Sequence, residues 1–143
     1  MIFKNLNQKF YTSLVSIILI FIIDRISKIY VIYLSQKSIE SEIFKSSYLN
    51  IILVWNDGIA FGLLSLKESI FYDLITFIIL IIILILIFFI FRSKNFKKFS
   101  YIIVTGGAVG NLFDRIVYKS VPDFLDVHYN GFHWFIFNIA DIF

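Results

Sequence analysis

Two aspartates near the end of the chain are the residues best suited to chemistry: Asp123 in Val121-Pro122-Asp123-Phe124 and Asp141 in Phe137-Asn138-Ile139-Ala140-Asp141. Both lie in or beside very apolar sequence, where an ionisable group is costly to keep and points to function. Two carboxylates brought together share one proton, and the pair can act as acid and base on a water held between them. That is the chemistry of aspartic proteolysis. Asp126, three residues after Asp123, competes with it for this role. Cysteine is absent, which removes thiolate nucleophiles, disulfides and Cys-based metal sites. His128 and His133 fit no metal-ligand spacing, so no metal is expected.

The elements that must position these groups are membrane elements. A chain of 143 residues that is 59% hydrophobic cannot hide its apolar surface in a soluble core. The expected class is an all-α polytopic membrane protein, a single membrane-embedded domain over 1–143 with four transmembrane helices at about 11–34, 70–91, 99–118 and 134–143. Lys4, Lys9, Arg92, Lys94, Lys97 and Lys98 flank these spans on one side, while Glu40, Glu42, Asp57 and Glu68 outnumber the lysines of the 35–69 segment. The positive-inside rule therefore places the N-terminus and the 92–98 link in the cytoplasm, and the 35–69 and 119–133 segments outside. The first span lacks a small-x-small cleavage site and continues through charged residues, so it reads as a retained helix rather than a cleaved leader.

Between the first two spans, Tyr48 to Trp55 is rich in β-branched and aromatic residues and reads as a strand, followed by a turn at Asn56-Asp57-Gly58. Ile59 to Leu64 resumes apolar sequence. A small extracytoplasmic β-sheet between helices 1 and 2 is expected on the outer leaflet, with Trp55 and Trp134 near the interface. On this topology the polar groups within the spans collect at one depth, near the outer surface. Asp24 and Lys28 are spaced to pair on one helix face, and Asn111 and Arg115 share a face of the third helix with Asp114 beside them. Asn138 and Asp141 fall in the first turns of the fourth. Ordinary readings exist for each: an intrahelical pair at Asp24–Lys28, an Arg115 that snorkels to the headgroups, a satisfied core amide at Asn138. Gly106, Gly107, Ala108 and Gly110 read as a helix-packing face, Gly106-x-x-x-Gly110.

Taken together, the blocks Asp24-x-x-x-Lys28, Asn56 to Gly62, Gly106 to Arg115, Val121 to Phe124 and Phe137 to Asp141 resemble the lipoprotein signal peptidases (signal peptidase II), aspartic peptidases of bacterial membranes. The resemblance covers nearly the whole chain and implies that Asp123 and Asp141 are the catalytic dyad. It implies that Asn56, Gly58, Asn111, Arg115 and Asn138 line the site, and that Asp24, Lys28 and Asp114 support the architecture. Asp126 does not fall on the family's catalytic position. The implied reaction removes the signal peptide of a diacylglyceryl-modified prolipoprotein, cutting just before the lipidated Cys. The implied partners are lipid-modified prolipoprotein substrates and membrane lipid, with no nucleic acid, and the expected state is a monomer. The expected place is the bacterial cytoplasmic membrane, with the site near its outer face and the Asn56–Gly62 segment helping to clamp the substrate.

The chain departs from the family pattern at Ile59 and Pro122, and more seriously after the second aspartate. Only Ile142 and Phe143 follow Asp141, so a helix from Trp134 would reach roughly 15 Å into a hydrocarbon layer of roughly 30 Å. The expectation is a truncated fourth helix with Asp141 on a frayed end, in a fragment of a longer protein or a poorly active form. Two rival readings follow. One is an inactive membrane scaffold of the same fold. The other is a small proton-coupled transporter with Asp24, Asp114 and Asp141 as a relay, although transporters tend to place charge near the midplane between repeated halves.

Overall fold

The only proline stands at position 122, so nothing before it forces a helix to break. The computed structural model describes residues 2–38, 42–58 and 69–143. Three long helices form: α1 (Ile2–Lys37), α2 (Ser69–Arg92) and α3 (Asn95–Tyr118). A two-residue link joins α2 to α3 and makes them an antiparallel pair. Lys119, in the left-handed region at φ 57°, ends α3 and turns the chain into the sheet.

α3 packs against both other helices, and its glycines let it approach closely. A Cβ at Gly106 would lie 2.7 Å from the Ile20 side chain, and one at Gly110 would lie 2.5 Å from an Asp24 carboxylate oxygen, both on α1. The expected Gly106-x-x-x-Gly110 face is therefore a real helix contact. Gly107 faces another way, against the Ala140 carbonyl.

Several polar residues occupy the interior and many apolar ones the outside. Asp24, Lys28, Thr105 and Asp114 are fully enclosed, while Ile22, Ile26, Phe77 and Phe88 are exposed. Such an inversion is costly in water and natural where the surrounding solvent is hydrocarbon. Among the described residues one helix, Ile70–Arg92, is long and apolar enough to cross a membrane. α1 and α3 match the first and third expected spans as helices, but both carry charges within them.

The fourth expected span, 134–143, is not a helix. Val121–Tyr129 forms strand β3 and Phe132–Phe137 forms β4, followed by a single 3-10 turn at Ala140–Ile142. The reason is local: Asn130 (φ 49°) and Gly131 (φ 79°) take the left-handed conformations of a two-residue hairpin turn. The short, mostly apolar segment that follows such a turn pairs as a strand, and periodicity alone cannot tell a strand of this length from a helix segment. The sheet also differs from expectation. β1 (Glu42–Phe44) and β2 (Leu49–Asn56) come from between α1 and α2, as expected, but β3 and β4 come from after α3. The four strands lie in the order β1-β2-β3-β4, all antiparallel, with Val54 opposite Asp123 and Asn56 opposite Val121. The apolar stretch Ile59–Leu64 and the Ile59–Gly62 half of the expected clamp lie outside the described residues.

These contacts make the glycines unequal. Gly110→Val should destabilise the protein by about 1–3 kcal/mol, the usual cost of overpacking, because its side chain would press on the Asp24 carboxylate and its neighbours. Thermal unfolding in detergent micelles measures this. A Gly110→Val protein as stable as wild type would mean that α1 and α3 do not meet here.

Candidate active site

The site rests on four buried charges. Lys28, fully enclosed on α1, contacts Asp24 one turn earlier at 2.9 Å and Asp114 on α3 at 2.7 Å. Arg25 contacts the same two carboxylates, Asp24 at 3.0 Å and Asp114 at 2.5 Å. Its guanidinium also lies over the Phe113 ring, 5.0 Å from the centroid. Two cations and two anions therefore neutralise one another between α1 and α3. Removing one of four such partners leaves an uncompensated buried charge, at a cost of roughly 3–5 kcal/mol.

Asn111, one helical turn from Arg115, connects this cluster to Asp141. Its Oδ1 accepts from Lys28 Nζ at 2.8 Å, and its Nδ2 donates to Asp141 Oδ1 at 2.8 Å. Asp141 also accepts the Asn138 backbone N–H on Oδ2 at 3.0 Å. The 3-10 turn that carries Asp141 thus sits against α3, with the Ala140 carbonyl over Gly107, instead of fraying.

Two further amides hold Asp123. Asn56 donates from Nδ2 to Asp123 Oδ2 at 2.9 Å, and Asn138 donates to Oδ1 at 2.6 Å. Neither amide can turn round without loss. Asn56 Oδ1 accepts the Gly58 N–H at 3.0 Å, and Asn138 Oδ1 accepts the Ala140 N–H at 2.8 Å. Each carbonyl is occupied by an obligatory donor, so each NH2 faces the carboxylate. Gly58 is held in turn by Arg115, whose Nη2 donates to the Gly58 carbonyl and whose guanidinium lies 5.0 Å from the centre of the Tyr72 ring. Arg115 is buried. It does not snorkel; it ties the Asn56-Asp57-Gly58 turn to α3.

Asp123 and Asp141 face one cavity of about 670 Å³. Asn56, Asn111, Arg115 and Asn138 line its polar side, while Ile75, Ile78 and Ile79 of α2 and Phe135 and Phe137 of β4 line its apolar side. Asp123 is 4% exposed, whereas Asp141 is open to the cavity. Burial pushes the Asp123 carboxyl up to about 6; the amide bonds from Asn56 and Asn138 pull against that rise, and the charge of Asp141 adds to it. Asp123 therefore keeps its proton to a higher pH than an ordinary carboxyl does.

Asp126 points elsewhere. Three residues after Asp123 on an extended strand, it projects from the opposite face of the sheet. There it pairs with His133 at 2.9 Å and accepts from Asn50 at 3.3 Å, and the His128 and His133 rings stack at 4.8 Å. It takes no part in the cavity. Gly58 reaches the site through its bonds to Asn56 and Arg115, and Asp24, Lys28 and Asp114 lie in the ion cluster behind Asn111. Sequence reasoning missed Arg25, because a residue adjacent to Asp24 does not share its helix face; only the reach of a long guanidinium side chain brings it in. It also missed Tyr72 and the apolar wall of α2, since neither is marked out among so many isoleucines and aromatics.

The chain matches the family model described as signal peptidase (SPase) II over residues 16–143. It is 46% identical over 136 residues to the lipoprotein signal peptidase of Pelagibacter ubique, covering 95% of this chain and 82% of that one. To the lipoprotein signal peptidase of Anaplasma marginale it is 38% identical over 132 residues, covering 91% and 75%. A solved bacterial membrane enzyme superposes with a TM-score of 0.72 at 33% identity, covering 92% of this chain and 79% of that one. With the family model matched over most of its length, and these relatives covered over most of theirs, the chain belongs to the signal peptidase II family of bacterial lipoprotein signal peptidases.

Proposed function

We propose that this protein is an aspartic endopeptidase that removes the signal peptide from diacylglyceryl-modified prolipoproteins, cutting just before the lipidated Cys, with Asp123 and Asp141 as its catalytic pair. The observation that carries this reading is the meeting of two carboxylates, one buried and one open, on a cavity with one polar and one apolar side. A water between them would lose a proton to Asp141 as it attacks the scissile carbonyl carbon, while the proton on Asp123 passes to the carbonyl oxygen. In the collapse of the tetrahedral intermediate the proton taken by Asp141 moves to the leaving nitrogen, and a hydroxyl of the intermediate returns its proton to Asp123. Asn56 and Asn138 donate to Asp123, and Asn111 to Asp141, so neither carboxylate must reorganise as charge shifts. No cofactor enters the reaction.

The apolar wall formed by α2 and β4 suits the acyl chains of the substrate, which would enter sideways from the bilayer. α1, α2 and α3 would cross the cytoplasmic membrane with the N-terminus inside. The sheet would lie at the outer face with Trp55 and Trp134 exposed to the interface. The protein would act as a monomer on its prolipoprotein substrates and surrounding lipid. A proton relay through Asp24 and Asp114 fits less well, because both carboxylates are ion-paired with Lys28 and Arg25.

Asp123→Asn and Asp141→Asn should each lower the cleavage rate of a diacylglyceryl-modified prolipoprotein by roughly 10²–10⁴-fold, the usual worth of a positioned acid or base. Asp126→Asn, at matched folded fraction, should retain most of the activity. Wild-type rates in both Asp123→Asn and Asp141→Asn would end the peptidase reading.

The pH profile supplies a second test. Because Asp123 works as the acid and its carboxyl sits at about 6, kcat/KM should fall as the pH rises through that value. A bound substrate excludes water and raises the midpoint further, so the matching fall in kcat should lie at higher pH. Stability should follow the same sign. A carboxyl raised in the folded state holds its proton where the unfolded chain releases it, so this contribution is full below the unfolded value of about 4. It is lost as the pH rises through about 6. A kcat/KM that instead climbs through this range would reverse the roles of the two aspartates.

A further inference from the structure

Asn56 and Asn138 are held in direction by backbone N–H groups, but Asn111 is held by a side chain. Lys28 has three ammonium protons and no acceptor. Its Nζ lies 3.0 Å from Asp24, 2.7 Å from Asp114 and 2.8 Å from Asn111 Oδ1, so each of its three donors has an acceptor. An amide group can usually be turned round with little change in its surroundings. Here that turn would press the Asn111 NH2 against a buried ammonium that can only donate. The carbonyl must therefore face Lys28, and the NH2 must face Asp141, where it donates to Oδ1 at 2.8 Å.

We infer that Lys28 is a positioning residue for Asp141, acting through Asn111: its charge sets the direction of one amide, and that amide holds the open carboxylate of the site. This inference rests on the peptidase reading for its effect on rate, but not for the amide lock itself. Asp24 and Asp114 hold the ammonium in place from α1 and α3, and Arg25 balances the charge. The cluster thus has a role beyond joining two helices. Through Asn111 it reaches the aspartate that lacks burial of its own, since Asp141 is exposed and Asp123 is not.

The test compares the full-length wild-type protein with Lys28→Met, Lys28→Gln, Asn111→Leu and the double variant Lys28→Met/Asn111→Leu, with all rates corrected for folded fraction. Two readouts are taken. One is kcat and KM for a diacylglyceryl-modified prolipoprotein. The other is the ¹⁵N-resolved NMR signature of the Asn111 side-chain amide, assigned by its loss in Asn111→Leu.

In the wild type the two Nδ2 protons should be well separated, with one slow to exchange. Lys28→Met should erase that asymmetry and lower kcat by about 10²-fold, as expected for a displaced catalytic group, with KM held within about twofold. The double variant should be no slower than the worse single variant. If Lys28→Met does not fold, Lys28→Gln decides the matter. A glutamine offers both donor and acceptor, so the Asn111 amide loses its enforced direction and the asymmetry should again fade.

The inference is overturned if Lys28→Gln keeps both the wild-type amide signature and the wild-type kcat. It is also overturned if the losses from Lys28→Met and Asn111→Leu multiply, which is what separate structural roles would produce. A wild type that shows the locked amide, loses it in Lys28→Met and cleaves no prolipoprotein would overturn the peptidase reading while supporting the lock.

Discussion

Charge neutralisation between α1 and α3 is the constraint on which the rest depends. Asp24, Arg25, Lys28 and Asp114 are buried in a protein whose outward surfaces are apolar, and none could remain charged there alone. Their mutual pairing brings α1 and α3 together at a fixed depth, and Gly106 and Gly110 remove the side chains that would hold the helices apart. Once that depth is set, Asn111 and Arg115 stand at one level of α3, one reaching Asp141 and the other reaching Gly58. Both aspartates are therefore placed by α3, although neither belongs to it.

The aspartates are held in different ways because they lie on different kinds of backbone. Asp123 sits in β3 opposite Val54 of β2, buried from solvent and within reach of two amides. Asp141 sits on a single 3-10 turn, which offers no such enclosure and draws its constraint from α3 and the Asn138 backbone. The result is two like groups with unlike surroundings, a common way to separate acid from base. Asparagine suits all three supporting positions because its side chain both donates and accepts. One end satisfies a fixed partner, and the other is left facing a carboxylate.

Much of this was legible in the sequence, for identifiable reasons. The three helices follow from long apolar runs unbroken by proline, and β2 follows from the β-branched and aromatic stretch ending at Trp55. The gathering of Asp24, Lys28, Asn111, Asp114 and Arg115 in one region followed from i,i+4 spacing combined with span direction, whereas Asn138 and Asp141 were expected there on a fourth helix that does not form. The last segment was misread because membrane context favoured a helix for any apolar run, and Trp134 to Phe137 is one. Asn130-Gly131 carried the opposing evidence, since that dipeptide between apolar stretches is a strong short-range sign of a hairpin. Arg25 was illegible for another reason. Its partners are an adjacent residue and one on another helix, and helical spacing predicts neither contact.

The order of the strands along the chain has a consequence for biogenesis. β2 precedes α2 and α3, whereas β3 follows them, so the Asn56–Asp123 bond joins residues 67 positions apart. While the chain is being made, the edge of β2 that meets β3 stays unpaired until both helices have been made. Neither aspartate can be assembled into the site before that moment. In a partly made chain the two carboxylates and their supporting amides are thus still apart, and the cavity they line closes only when the last strands dock.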